Sequence, residues 1–160
     1  MTVKAQDTQD ATSTDRIEKK FDLRAPRSRV WRAITSAEEF SQWFRMNLDG
    51  AFVEGKTVRG KVTHKNWEHA CPVEMTVERI EPERYFAYRW HPFALDPAID
   101  YSAEPTTLVE FILEEGDAGT SVTIIESGFD QLPLDRRAEA YRMNNGGWDG
   151  QSRNLTAYVA

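Results

Sequence analysis

From residue 16 onwards, apolar residues recur with a period of two. In the stretch RIEKKFDLRA, residues 16–25, Ile17, Phe21 and Leu23 occupy alternate positions, and charged residues fill most of the positions between them. Successive side chains of a strand point to opposite faces, so this alternation predicts a first strand.

Two short helices are predicted directly after this strand. Pro26 suits the start of the first, and Ser36 suits the N-cap of the second, with Glu39 three residues later completing a capping box. The apolar face of the first helix consists of Val30, Trp31 and Ile34.

From about residue 51 the period of two returns. Runs of alternating residues at 57–65, 71–80, 84–91, 107–115 and 120–127 are separated by turn residues such as Pro82 and Gly116. Short links between successive strands favour an antiparallel meander. Its inner face is predicted to carry Val73, Met75, Val77, Phe86, Tyr88, Trp90, Val109, Phe111, Leu113, Val122 and Ile124.

A long helix is predicted from Leu134 to the end of the chain, because Tyr141, Trp148, Leu155 and Tyr158 recur at the spacing of one helical stripe. The order of strand, two short helices, five or six strands and one long helix predicts an α+β fold. In this fold a curved antiparallel sheet wraps around the C-terminal helix. Such a wrap tends to enclose a cavity between helix and sheet.

Three glycines, Gly146, Gly147 and Gly150, fall inside this helix. Each costs about 1 kcal/mol relative to alanine in a helix interior. Three explanations stay open: close approach of the helix to the sheet, open volume beside Trp148, or a local bend, which the two preceding asparagines also favour.

Composition narrows the class of protein. The 160 residues suffice for one domain, predicted at 16–160, after a polar tail at 1–15 that we expect to be disordered. The net charge of −6, without a basic cluster, argues against nucleic acid as a partner. The single cysteine, Cys71, and the absence of a signal peptide or a long apolar run predict a cytoplasmic protein without a membrane span.

Three motifs resemble one superfamily. They are VWRAITSAEEFSQWF at 30–44, ESGF at 126–129 and NNGGWDGQSRNLTAYV at 144–159, and together they are similar to the SRPBCC (START-like, helix-grip) superfamily, in its branch related to the activator of the heat-shock-protein-90 ATPase. The resemblance implies a hydrophobic pocket between the long helix and the sheet. Relatives use this pocket for lipids, polyketides or other apolar molecules, and a minority use it for chemistry, so the ligand is not implied.

The segment at 91–107 departs from shorter relatives. It is rich in proline and carries Phe93, Leu95, Ile99 and Tyr101 between two predicted inner-face strands. It is predicted to be either a lid over the pocket mouth or a long hairpin loop packed on itself.

Glu126 is the main candidate for chemistry, since it continues the alternation of two inner-face residues. One interpretation makes it a ligand anchor or general base with a raised pKa; the other places it at the rim of the sheet, paired with an arginine or capped by a backbone donor. His69 and Cys71 share one strand face, but two donors do not make a metal site. No recognised catalytic set, metal site or cofactor motif is found, so none is predicted.

The primary hypothesis is a non-enzymatic protein that binds a small hydrophobic or amphipathic molecule. The alternatives are an interaction module for a heat-shock-protein-90-type chaperone, and a cyclase- or hydrolase-like enzyme that uses Glu126 and Tyr88 as acid and base. The pocket-lining candidates are Trp43, Phe44, Met75, Phe86, Tyr88, Trp90, Phe111, Glu126, Met143, Gly147 and Trp148.

Overall fold

The structure is a computed structural model that describes residues 15–62, 71–94, 96 and 98–160. The tail that we expected to be disordered comprises residues 1–15; residues 1–14 lie outside the described residues, as do the last three residues of the strand predicted at 57–65. Asp15 is described, and its carbonyl accepts a hydrogen bond from the Gly128 N–H at 3.1 Å. Two residues of the segment at 91–107, Leu95 and Pro97, also lie outside them.

The described residues form seven strands, three α-helices and one 3-10 turn, and the predicted elements occur among them in the predicted order. These are β1 (Arg16–Leu23), α1 (Arg27–Thr35), α2 (Ala37–Phe44), β2 (Met46–Leu48), β3 (Thr57–Val62), β4 (Cys71–Glu81), β5 (Tyr85–Trp90), β6 (Thr107–Glu115), β7 (Thr120–Ser127), the 3-10 turn (Phe129–Gln131) and α3 (Leu134–Val159).

The seven strands form one antiparallel sheet with the order β1-β7-β6-β5-β4-β3-β2. β1 pairs with β7 along its whole length, so the first and last strands are neighbours. The register shifts between Val77 and Arg79 in β4, which is the kind of irregularity that bends a sheet. The predicted α+β fold with a long C-terminal helix is confirmed.

The edge strand β2 was not predicted. It has only three residues and follows Arg45, whose φ of 71° is left-handed. It also lies very close to β3, since a Cβ on Gly60 would stand 1.9 Å from the carbonyl oxygen of Asn47. Three residues are too few for alternation to show.

The capping box at the start of α2 is half formed. The Ser36 hydroxyl accepts a hydrogen bond from the Glu39 N–H at 3.3 Å, as predicted. The Glu39 carboxylate accepts instead from Arg29 at 2.8 Å and Arg32 at 2.9 Å, both on α1. The box therefore serves to join the two short helices.

The predicted inner face of the sheet is confirmed. Nine of its eleven residues are buried, and Val73 and Trp90 are half-buried. α3 runs unbroken for 26 residues across this face, with Trp148 and Leu155 buried beneath it. The helix stripe is therefore in the predicted phase.

Candidate functional site

Glu126 projects from β7 beneath α3 and is completely buried. Its Oε1 accepts hydrogen bonds from Trp148 Nε1 at 2.7 Å and from Asn144 Nδ2 at 2.9 Å. Its Oε2 accepts from Thr107 Oγ1 at 2.6 Å and from Trp90 Nε1 at 2.8 Å. The donors come from β5, β6 and α3, so one carboxylate joins the sheet to the helix.

These contacts bear on both interpretations of Glu126 that the sequence left open. Placement at the rim beside an arginine is wrong, because the carboxylate has no exposed surface and its hydrogen-bond donors are neutral side chains. A ligand anchor or general base needs a free lone pair, and four donors already fill the positions that a carboxylate offers. In this structure the Glu126 carboxylate therefore bonds to four neighbouring side chains.

Burial raises the pKa of Glu126, although hydrogen bonds from Thr107, Trp90, Trp148 and Asn144 each lower it. The folded protein then holds this proton more tightly than the unfolded chain does, and the resulting stability is lost as pH rises through the folded pKa. We predict that the free energy of unfolding falls, relative to that of Glu126→Gln, as pH rises above the ordinary value of 4.5. Urea unfolding of both proteins from acid to neutral pH measures this. If the free energy of unfolding of the wild type instead rises with pH relative to that of Glu126→Gln, the four donors outweigh burial.

Tyr88, the proposed partner of Glu126 in acid and base chemistry, is also completely buried. Its hydroxyl has no hydrogen-bond partner within the described part of the chain. Burial raises the pKa of Tyr88, and the charge of Glu126 raises it further. This hydroxyl therefore stays protonated within the core.

Five pocket-lining candidates lie in the closed, mainly aromatic core beneath the helix. The ring centroids of Phe111 and Trp148 are 5.9 Å apart, and Trp43 Nε1 donates to the Ala33 carbonyl at 2.8 Å. Helix and sheet are thus in direct contact here, where an open cavity was expected. The five candidates are Trp43, Met75, Phe86, Tyr88 and Phe111, all buried.

The open space lies beside this core. A pocket of about 1090 Å³, which we call the α3 pocket, is bounded by the middle of α3, the start of β4 and the segment at 91–102. Five of the sequence candidates border it: Phe44, Trp90, Met143, Gly147 and Trp148. Others that border it are Val62, Cys71, Val73, Phe93, Ile99, Tyr101, Asn144, Gly146 and Gly150.

Three aromatic rings form the floor of the α3 pocket. Phe44 contacts Trp90 and Trp148 at centroid distances of 5.9 and 5.8 Å, and the two indoles lie 6.0 Å apart. Both indole N–H groups are turned to Glu126, so the rings have fixed orientations. The floor is therefore apolar, with Phe44 and Trp148 buried and Trp90 half-buried.

The glycines of α3 border this pocket. A Cβ on Gly146 or Gly147 would meet no heavy atom within 4 Å, and one on Gly150 would meet only the end of Arg153 at 3.9 Å. Close approach of the helix to the sheet is therefore wrong as the explanation of these residues. Open volume beside Trp148 agrees with their positions.

The segment at 91–107 forms one wall of the α3 pocket, to which Phe93, Ile99 and Tyr101 contribute.

Sequence analysis missed two of the four hydrogen-bond partners of Glu126, Thr107 and Asn144, although both carried a signal. Thr107 is in phase with the inner-face residues of β6, and Asn144 lies one helical turn before Trp148.

The fold and site define the class of protein: an α+β helix-grip protein of the SRPBCC superfamily. A family model described as "Activator of Hsp90 ATPase homolog 1-like protein" matches residues 24–160. The chain therefore belongs to this family, which is the branch that the sequence motifs indicate.

Solved structures share the fold. Protein MLL2253 from Mesorhizobium loti is 22% identical with a TM-score of 0.71, over 90% of this chain and 96% of that chain. A protein from Arthrobacter aurescens is 14% identical with a TM-score of 0.75, over 91% and 86%. The Aha1 dimer from Colwellia psychrerythraea is 16% identical with a TM-score of 0.65, over 90% and 95%. Comparison with curated proteins gave no match.

The described residues contain no helix with the length and apolarity to cross a membrane. They also contain no group of three or more histidine, cysteine, aspartate or glutamate side chains arranged to hold a metal ion.

Proposed function

We propose that the protein binds a small hydrophobic or amphipathic molecule in the α3 pocket. The observation that carries this proposal is the pair Gly146 and Gly147, which border the pocket and have open space where a side chain would stand. Alanine at each position would favour the helix by about 1 kcal/mol. The sequence thus keeps open volume at the expense of helix stability, a trade that is common at functional sites.

The chemistry of the pocket wall supports an apolar ligand with a polar end. Its floor is aromatic, and two side chains that border it, Ile99 and Met143, are 49% and 42% exposed although apolar. Charged groups also border the pocket, including Arg142, Arg153 and Asp96. An amphipathic molecule would place its apolar body on the floor and its polar end beside these groups.

Alanine substitution of the glycines tests the proposal. We expect Gly146→Ala and Gly147→Ala each to stabilise the protein by up to about 1 kcal/mol, because alanine favours the helix and meets no obstacle. Because both residues border the pocket, we expect each added methyl group to reduce its volume, so affinity for the amphipathic dye 8-anilinonaphthalene-1-sulfonate should fall. Thermal melts and fluorescence titrations measure the two effects.

Gly50 provides the control for this experiment. It lies outside the α3 pocket, and a Cβ there would also meet nothing within 4 Å. Gly50→Ala should leave dye affinity unchanged. If Gly146→Ala and Gly147→Ala are stabilised but bind the dye as tightly as the wild type, the proposal is contradicted. Native mass spectrometry of protein from its own host would then be expected to show no bound small molecule.

An interaction with a heat-shock-protein-90-type ATPase is the second candidate function, supported by the description of the matching family. This second candidate function implies a cytoplasmic location, which the presence of only one cysteine supports. Retention of the ATPase by the immobilised protein, with a changed rate of ATP hydrolysis, is the expected result. The enzyme hypothesis has no such support, since Glu126 and Tyr88 do not border the pocket.

A further inference from the structure

Arg136, in the first turn of α3, makes a dense set of contacts with the segment at 91–104. Its Nε and Nη2 donate to the Glu104 carboxylate at 3.0 and 2.7 Å. Its Nη1 donates to the Phe93 carbonyl, and its Nη2 to the Pro92 carbonyl, both at 3.0 Å. Its guanidinium also lies over the Tyr101 ring, 4.8 Å from the centroid.

These contacts join two parts of the segment that are distant along the chain. Pro92 and Phe93 follow β5, whereas Tyr101 and Glu104 precede β6, and one side chain of α3 holds both parts. The His91 ring adds a hydrogen bond to the Glu104 carbonyl at 3.1 Å. Both ends of this pocket wall are therefore held to α3 by one side chain.

The wall depends on this support. Phe93 has a left-handed φ of 50°, a conformation that non-glycine residues keep only when their surroundings enforce it. Its carbonyl is one of the acceptors of Arg136. The side chains of Arg136 and Glu104 are only 15% and 18% exposed, so solvent weakens their pairing less than it weakens a surface ion pair.

Arg136 does not itself border the α3 pocket. Phe93 and Tyr101 border the α3 pocket, whereas Arg136 and Glu104 do not. We propose that Arg136 is a positioning residue, which sets the place of Phe93 and Tyr101 and thereby slows the escape of a bound molecule. This inference rests on the proposed function of the pocket.

Arg136→Lys and Glu104→Gln test the inference. Lysine lacks the planar fork that reaches one carboxylate and two carbonyls at once, and glutamine removes the charge. Both variants should release 8-anilinonaphthalene-1-sulfonate about tenfold faster in stopped-flow measurements, with a smaller change in the association rate. The equilibrium affinity should fall in proportion.

Arg137→Lys is the matched control. Arg137 is the next residue of α3 and also donates to a backbone carbonyl, that of Leu132 at 3.0 Å, which is not part of the wall. Its substitution should leave dye release unchanged even if the protein melts at a lower temperature. Lower melting temperatures for Arg136→Lys and Glu104→Gln with unchanged dye release would overturn the inference, since a purely structural role has that result.

Hydrogen exchange of the unliganded protein separates this inference from the proposed function. Faster exchange of the amides at 98–104 in Arg136→Lys, but not in Arg137→Lys, would support the positioning role even if the wild type bound no dye. Failure of the wild type to bind would then count against the proposed function alone. Unchanged exchange in Arg136→Lys would overturn the positioning role.

Discussion

Glu126→Met is expected to remove a large part of the stability of the fold. The side chains are similar in size, but methionine lacks an acceptor for Trp90, Thr107, Asn144 and Trp148. A buried donor that loses its acceptor costs about 1 to 3 kcal/mol, so four such donors should cost at least about 4 kcal/mol. Since domains of this size are stable by only about 5 to 15 kcal/mol, part of the protein should be unfolded at ambient temperature.

Glu126→Gln should destabilise the protein less than Glu126→Met does. The amide oxygen can keep two donors, and the Thr107 hydroxyl can turn to accept from the new NH₂ group, which leaves one indole N–H unpaired. A loss of about 1 to 3 kcal/mol follows. Urea unfolding followed by near-ultraviolet circular dichroism measures both variants.

Glu114→Gln is the control, because Glu114 lies exposed near the end of β6. It should change the free energy of unfolding by less than about 0.5 kcal/mol. A similarly small loss in Glu126→Met would show that the four donors find other acceptors and that the carboxylate does not join helix to sheet.

The dependence of the pocket on Glu126 follows from the same contacts. The indole rings of Trp90 and Trp148 border the α3 pocket, while their N–H groups point to Glu126. One buried carboxylate thus orients two of the three floor rings. The floor of the pocket and the junction of α3 with the sheet are therefore one structure.

The elements of the fold were predictable because their signals are local. The alternation at 107–115 and 120–127 gave β6 and β7 with the observed bounds, and the stripe through Trp148 and Leu155 gave the buried side of α3. The three-residue strand β2 was not predictable, since its pairing with β3 depends on a close approach at Gly60.

The place of the pocket was not predictable, because it depends on how side chains from distant elements fill the interior. Phe40 of α2 contacts Phe111 of the sheet at 6.5 Å between ring centroids, and Trp148 of α3 contacts it at 5.9 Å. These rings close the centre, so the open volume lies towards the segment at 91–102. Periodicity shows which residues face inward, but not which of them meet.

Trp148→Ala should cost about 3 to 5 kcal/mol, because the indole is 3% exposed and packs on Phe44, Trp90 and Phe111. Trp31→Ala is the control, since Trp31 is only half-buried on α1 and should cost less. Urea unfolding measures both losses. A Trp148→Ala loss no larger than that of Trp31→Ala would contradict the packing of α3 on the sheet.

Chemical rescue of Trp148→Ala then separates the two roles of the side chain. The substitution leaves an indole-sized space beside the α3 pocket, and a ligand that binds only the folded state raises its stability. Free indole should therefore raise the melting temperature of Trp148→Ala by more than it raises that of the wild type. Indene has the same shape but no N–H to donate to Glu126 Oε1, which Trp148 Nε1 reaches at 2.7 Å, so it should stabilise less than indole does. Equal stabilisation by both would show that the site gains from the ring alone and that the hydrogen bond to Glu126 adds nothing.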